Sequence, residues 1–159
     1  MAKFKLDEID HQILDMLIDN TRVPFTDIAK KLLISAGTVH VRVKKMEDAG
    51  IIKGSSLTLD YKKLGYSFIA YVGVFLKNTS ETTFVLERIN EIPFVTVAHV
   101  TTGKFNVFCK IRAKNTEHAK DIIFRLDDIE GVYRTETMIS LEESLNDKKR
   151  LMHDIFNSI

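Results

Sequence analysis

Apolar residues recur along this chain first with a helical period and then with a strand period. Between Leu6 and Asn20, Ile9, Ile13, Met16 and Leu17 fall at i, i+4, i+7 and i+8, thickened by Leu14 and Ile18. That stripe predicts an amphipathic helix wide enough to cover two others. Asp7 is a suitable N-cap, and Asp10 adds negative charge to the first turn. From Pro24 to Gly50 the stretch PFTDIAKKLLISAGTVHVRVKKMEDAG holds two shorter periods. Phe25, Ile28, Ala29 and Leu32 line one helical face, and Val39, Val43 and Met46 line the next. Leu33 to Ser35 interrupts the pattern, Ser35 is an N-cap for the second helix, and Gly50 supplies its C′ stop. Helix, tight turn and helix make a helix-turn-helix. Neither helix can bury its face alone, so a three-helix domain follows.

Ile51 to Asp60 reads as extended, with Leu57-Thr58-Leu59 strand-like and Lys53-Gly54-Ser55-Ser56 a bend. A flexible hinge and a paired strand fit this stretch equally. The patterning changes after Tyr61-Lys62-Lys63-Leu64-Gly65, which sets the domains at 1–60, with the exit strand, and 61–159. Phe68 to Leu76 then alternates with Phe68, Ala70, Val72, Val74 and Leu76 on one face, and its other face (Ile69, Tyr71, Phe75) is also apolar. A helix capped by Thr79 or Ser80 runs to Asn90, with Phe84, Val85 and Ile89 turned inward. Phe94–Thr101 and Phe105–Arg112 are further strands. Asn115–Asp128 is a helix carrying Ala119, Ile122, Ile123 and Leu126, and Gly131 releases a last strand from Val132 to about Leu141. The order βαββαβ predicts an α+β chain whose second half is a ferredoxin-like sheet with both helices on one face. Its uncovered face is apolar, which a monomer rarely tolerates, so oligomerisation is expected. The tail carries a short helix with Leu151, Ile155 and Phe156 along one edge, docked on a neighbouring element or subunit.

The helix after Ser35 has an unusual outer face. With Val39 at the centre of the buried side, Gly37, Val41, Lys44 and Asp48 point away, flanked by Thr38, His40 and Lys45. Small or neutral residues lead and lysines follow, an arrangement suited to a helix whose N-terminal half enters a major groove. The formal net charge of +1 conceals a segregation. Residues 1–29 carry three basic against six acidic residues, and residues 30–53 carry six against two. Positive charge therefore gathers on and beside this helix, where phosphates would lie. An ordinary solvated helix in a small bundle is the bland alternative.

The remaining chemistry is sparse. Gly65, Gly73 and Gly103 are isolated, so no phosphate loop is present. His11, His40, His99, His118 and His153 share no metal-ligand spacing with one another or with Cys109. Cys109, mid-strand in FNVFCKIRA, reads as a buried structural thiol, and His99 as a sheet residue. Asp127-Asp128 and Glu142-Glu143 face no opposing cluster. The sequence therefore predicts no enzyme, no metal and no cofactor. A single cysteine, the absence of an apolar stretch of membrane-span length and a polar N-terminus point to the cytoplasm and away from membranes.

LDEIDHQIL, ISAGTVHVRVKKMEDAGII, VTTGKFNVFCKI and GVYRTETMISL in this order resemble the Lrp/AsnC (leucine-responsive/asparagine-responsive) transcription regulators over nearly the whole chain. The resemblance implies a winged helix-turn-helix head that binds double-stranded DNA and a sensing and oligomerisation half. It also implies a homodimer, with tetramers or octamers as further assemblies, and a small-molecule effector, an amino acid or a relative of one, held between dimers. Carried onto this chain, the DNA contacts are Ser35, Gly37, Thr38, His40, Val41, Arg42, Lys44 and Lys45. The effector pocket is Thr101, Thr102, Gly103 and Asn106 with Thr135 and Thr137. Two departures stand out: Leu33 occupies a turn position usually held by Gly, and the loop ends in Gly103-Lys104-Phe105-Asn106 where Gly-x-Tyr-Asp is common. An amide offers an ammonium group only neutral hydrogen bonds, so the usual ligand is placed in question. Competing readings are an amino-acid sensor or assembly module whose head binds protein, and an allosteric subunit of an amino-acid enzyme.

Overall fold

The computed structural model describes residues 5–147 and 150–157, without the side chains of 153, 156 and 157, so the expected edge residue Phe156 lies outside the described contacts. Three helices, α1 (Glu8–Asp19), α2 (Phe25–Leu32) and α3 (Ala36–Asp48), form the first unit. Their apolar stripes meet in a core of Ile13, Leu14, Ile28, Ala29, Val39, Val43 and Met46. At the start of α1, the Asp10 N–H donates to Asp7 Oδ1 (2.9 Å) and the Asp7 N–H to Asp10 Oδ2 (3.2 Å), a reciprocal cap built from two aspartates. Between α2 and α3, Leu33 adopts φ 57° and ψ 39°, the left-handed region. There the Ile34 N–H donates back to the Ala29 carbonyl (3.0 Å) and closes the helix end. A side chain in that region costs about 1–2 kcal/mol, and Leu33, 93% exposed, recovers nothing by burial. Ser35 Oγ accepts the Thr38 N–H (3.0 Å) and starts α3.

Beyond α3 the expected strand at Leu57–Leu59 does not form. Residues 52–60 carry no regular structure, and Leu57 and Leu59 are exposed. An extended segment becomes a strand only when another offers a ladder of hydrogen bonds, and no described residue pairs with this one.

The second unit, Leu59–Ser144, contains β1 (Phe68–Leu76), α4 (Thr82–Asn90), β2 (Val95–Val100), β3 (Val107–Ala113), α5 (Thr116–Asp127) and β4 (Val132–Ile139). The strands run antiparallel in the order β2-β3-β1-β4. Val72 lies between Cys109 and Thr137, and Val74 between Val107 and Thr135. Ala70, Val72, Val74, Val107, Cys109 and Ile111 pack beneath Val85, Ile89, Ala119, Ile122 and Leu126 from the two helices. Two details differ from the sequence reading. Asn78 caps a 3-10 turn, Thr79–Glu81, before α4 begins. Phe84 is 39% exposed, with the Arg88 guanidinium 5.3 Å from its ring, rather than turned inward.

The tail helix α6 (Arg150–Asn157) belongs to the first unit, which takes in the chain from Leu145 onward. It lies against α1, and Met152 joins the three-helix core, while Leu151 stays exposed.

Candidate functional site

The heptad-like spacing of Val39, Val43 and Met46 fixes the rotation of α3, and with it the face turned to solvent. Ser35, Gly37, Thr38, His40, Val41, Lys44 and Lys45 are all exposed, Val41 at 65%. Ser35 also serves as the cap, its hydroxyl 2.8 Å from that of Thr38. His40 leans toward α2, its ring 6.0 Å from that of Phe25. The Lys44 ammonium pairs with Asp48 one turn on (2.7 Å), and that carboxylate holds the lysine above its ordinary pKa. Both partners are more than half exposed, so the pair exchanges readily with solvent or with another anion.

Arg42 departs from this set. Its Nη1 donates to Asp7 Oδ2 and to Asp10 Oδ1, both at 2.7 Å, and its side chain is only 26% exposed. The guanidinium is committed to the start of α1, and α3 is thereby clamped across the head. Asp7 is held below the usual carboxylate range, first by the Asp10 N–H and then by Arg42. Asp10 itself is buried. Sequence periodicity missed this group because Asp10 reads as a first-turn acid. The signal available was a basic residue on the flank of α3 together with two acids three positions apart.

In the second unit, the loop between β2 and β3 is closed by its own hydrogen bonds. The Thr101 N–H donates to the Asn106 carbonyl (3.1 Å), and the Thr101 hydroxyl donates to the Phe105 carbonyl. The Asn106 N–H donates to the Val74 carbonyl, and Asn106 Oδ1 accepts the Leu76 N–H, each at 3.0 Å. The carboxamide oxygen is thus used by the fold. Thr102 and Gly103 form the exposed tip. Thr135 and Thr137 sit on β4, opposite Val74 and Val72. They therefore flank β1 on the side away from the loop, on the helix-bearing face, with Thr135 half-buried and Thr137 exposed. The loop residues are brought together; the two threonines stand across a strand from them. A cleft of about 290 Å³ lined by Tyr66, Phe94 and His118 lies toward the other end of β1 and involves none of these residues.

The sheet face without helices holds a row of aromatic rings that periodicity only partly anticipated. Tyr71 stacks with Phe108 (5.7 Å), Phe108 with Phe105 (5.7 Å), and Phe105 meets Phe75 edge-on (5.2 Å). Arg134 lies 3.9 Å above Phe75, Lys104 5.4 Å from Phe105 and Lys110 5.9 Å from Tyr71. Glu136 accepts from Lys104 and Arg134, and Glu143 from Lys110, all at 2.6 Å. Lys104 first, then Arg134, keeps Glu136 below the ordinary carboxylate range.

Residues 6–53 match the winged helix-turn-helix DNA-binding family model, and residues 69–149, half of the chain, match the Lrp/AsnC ligand-binding domain. Regulatory protein AsnC of Escherichia coli K12 is 32% identical over 146 residues, covering 91% of this chain and 96% of that protein. The chain belongs to the Lrp/AsnC family. Its fold superimposes on the solved structure of E. coli AsnC with a TM-score of 0.87 at 30% identity, over 91% of this chain and 97% of that one. A feast or famine regulatory protein of Mycobacterium tuberculosis, solved with L-methionine, shares the fold (TM-score 0.83, 22% identity, 91% and 97% covered). As a member of the Lrp/AsnC family the chain is a DNA-binding transcription regulator with a ligand-binding half, the architecture expected above. The E. coli relative is a regulatory protein by name. No described helix is long and apolar enough to cross a membrane, and no described cluster of His, Cys, Asp and Glu could hold a metal.

Proposed function

We propose that this Lrp/AsnC regulator reads a pseudo-palindromic DNA site as a homodimer, with the outward face of α3 in the major groove. The observation that carries the reading is the composition of that face. Gly37 and Thr38 allow close approach, Val41 offers a methyl surface to thymine, and Lys44 and Lys45 follow for phosphates. Arg42 acts from behind by holding α3 to α1. Two heads on one side of a duplex place half-sites about 10 bp, or a multiple of it, apart. The dimer forms through the aromatic sheet face. Its rim carries Lys104, Lys110 and Arg134 beside Glu136 and Glu143, and a face bearing both signs can meet its own twofold copy. Dimers assemble further into tetramers or octamers. A small molecule of amino-acid type binds between dimers at the loop Thr101, Thr102, Gly103 and Asn106, with Thr135 and Thr137 as flanking hydroxyls. The protein works in the cytoplasm, without catalysis or cofactor.

Replacing Lys44 and Lys45 together by Ala tests the DNA face. Affinity falls for every sequence, and the slope of log K against log salt drops by roughly 0.9 for each phosphate that is no longer neutralised, up to about 2 for the pair. An unchanged slope removes α3 from the interface. A head that binds protein instead gives no salt slope with random duplex DNA.

A further inference from the structure

We propose that Phe105 is a positioning residue that couples the effector loop to the sheet face on which two copies meet, and that Gly73 is the seat that makes the coupling possible. This rests on the loop and dimer readings above, and concerns the physical link between them.

Gly73 sits in the middle of β1, paired with Phe108 on one side and Glu136 on the other. A glycine in a strand interior gives up backbone entropy and side-chain packing, so a close approach is the usual reason for one. Here the approach is extreme: a Cβ on Gly73 would lie 2.2 Å from the Phe105 ring. The ring of Phe105 therefore lies directly on bare backbone, between Phe75 and Phe108, at the centre of the aromatic row. Phe105 is at the same time a member of the effector loop. Its carbonyl accepts the Thr101 hydroxyl, and its neighbour Asn106 is fastened to Val74 and Leu76. Lys104, the preceding residue, reaches Glu136 on the far side of β1 and stands over the same rings.

Three consecutive residues thus join the loop to both sides of β1 and to the middle of its exposed face. A loop that changes shape around a ligand must lift or re-seat the Phe105 ring. A second copy covering the rings must in turn fix Phe105 and narrow the shapes open to Thr102–Lys104. Such coupling is reciprocal, so assembly orders the loop to the same extent that a loop-bound ligand alters assembly.

The test is amide hydrogen exchange of residues 102–106 in the full chain over a dilution series, with mass followed by light scattering. In the wild type, exchange slows by about fivefold or more as mass rises from monomer to dimer, the low end of typical coupling factors. In Phe105→Leu, which keeps an apolar group without filling the seat, and in Gly73→Ala, which evicts the ring, loop exchange becomes independent of mass. Phe105→Leu decides the matter if Gly73→Ala does not fold. Loop exchange that ignores mass in the wild type, or still follows it in Phe105→Leu, overturns the proposal, as does a wild type that stays monomeric. The twenty amino acids are screened in parallel by thermal shift. A ligand that still binds Phe105→Leu and no longer changes its mass supports the coupling, and one that changes its mass as in wild type overturns it. If none binds, the amino-acid reading fails by itself and the exchange measurement still decides the coupling.

Discussion

Replacing Arg42 by Met separates a structural arginine from a DNA-reading one. Methionine keeps most of the aliphatic stem and removes the guanidinium that holds Asp7 and Asp10. Asp10 is 6% exposed, so its carboxylate loses a charged hydrogen bond in a place water reaches poorly. A bond of that kind contributes about 1.5–3 kcal/mol. The Asp7 side chain is 54% exposed, and its half of the clamp is worth about 0–1 kcal/mol after solvent screening. The loss to the head is therefore about 1.5–4 kcal/mol, or roughly a 10- to 900-fold rise in its opening constant at 1.36 kcal/mol per tenfold. Amide exchange in α1 and α3 of the full chain reads this directly, because it reports the head separately from the sheet. Asp7 adds a pH signature. Its folded pKa is depressed, so its stabilisation is complete above the unfolded value and is lost as pH falls through the lower, folded one. The wild-type head therefore loses stability on acidification below about pH 4, and Arg42→Met loses less over the same range. The salt slope of DNA binding, measured where the variant is folded, stays at the wild-type value. Unchanged exchange together with a slope lower by about one would show that Arg42 contacts phosphate and that the clamp is incidental.

Leu33→Gly relieves a left-handed strain of about 1–2 kcal/mol and gives back about 0.4–1 kcal/mol through the freer unfolded chain. The head is expected to gain about 0.5–1 kcal/mol in urea unfolding, and destabilisation would mean that the Leu33 side chain has a packing role. Cys109 is fully buried, and burial raises its thiol pKa to about 11. Thiol reagents at pH 8 should modify it only as fast as the sheet unfolds, so rapid labelling of the folded chain would refute the packing described. Asn106→Ala leaves the Leu76 N–H without its acceptor and should cost the sheet unit about 1–3 kcal/mol. Asn106→Asp, which keeps an oxygen there, should restore most of that.

Legibility followed the length and regularity of each signal. The period-2 run from Phe68 to Leu76 and the stripe led by Ile9 and Ile13 are long and bury their central positions, Ala70, Val72, Val74, Ile13 and Leu14, so both elements lie where the periods place them. The rotation of α3 was equally readable, because three apolar residues on one side leave little freedom for the other. What could not be read depends on contacts distant in sequence. Arg42 looks like one more cation on a basic helix until Asp7 and Asp10 are placed beside it. Gly73 looks incidental until Phe105, 32 residues later, lies across it. Leu57–Leu59 has strand composition, and composition carries no information about a missing partner. Phe84 fits the apolar face of α4 by spacing, yet the sheet beneath is already filled by Val85 and Ile89.

The head is assembled from two separate stretches, since the chain leaves it near Thr58 and comes back at Leu145. A protease that nicks the exposed stretch around Ser55 therefore does not yield a free-standing DNA-binding fragment and a free-standing sensor. The larger piece still carries Met152 and α6, its share of the head. Expressing the first 58 residues alone omits that share.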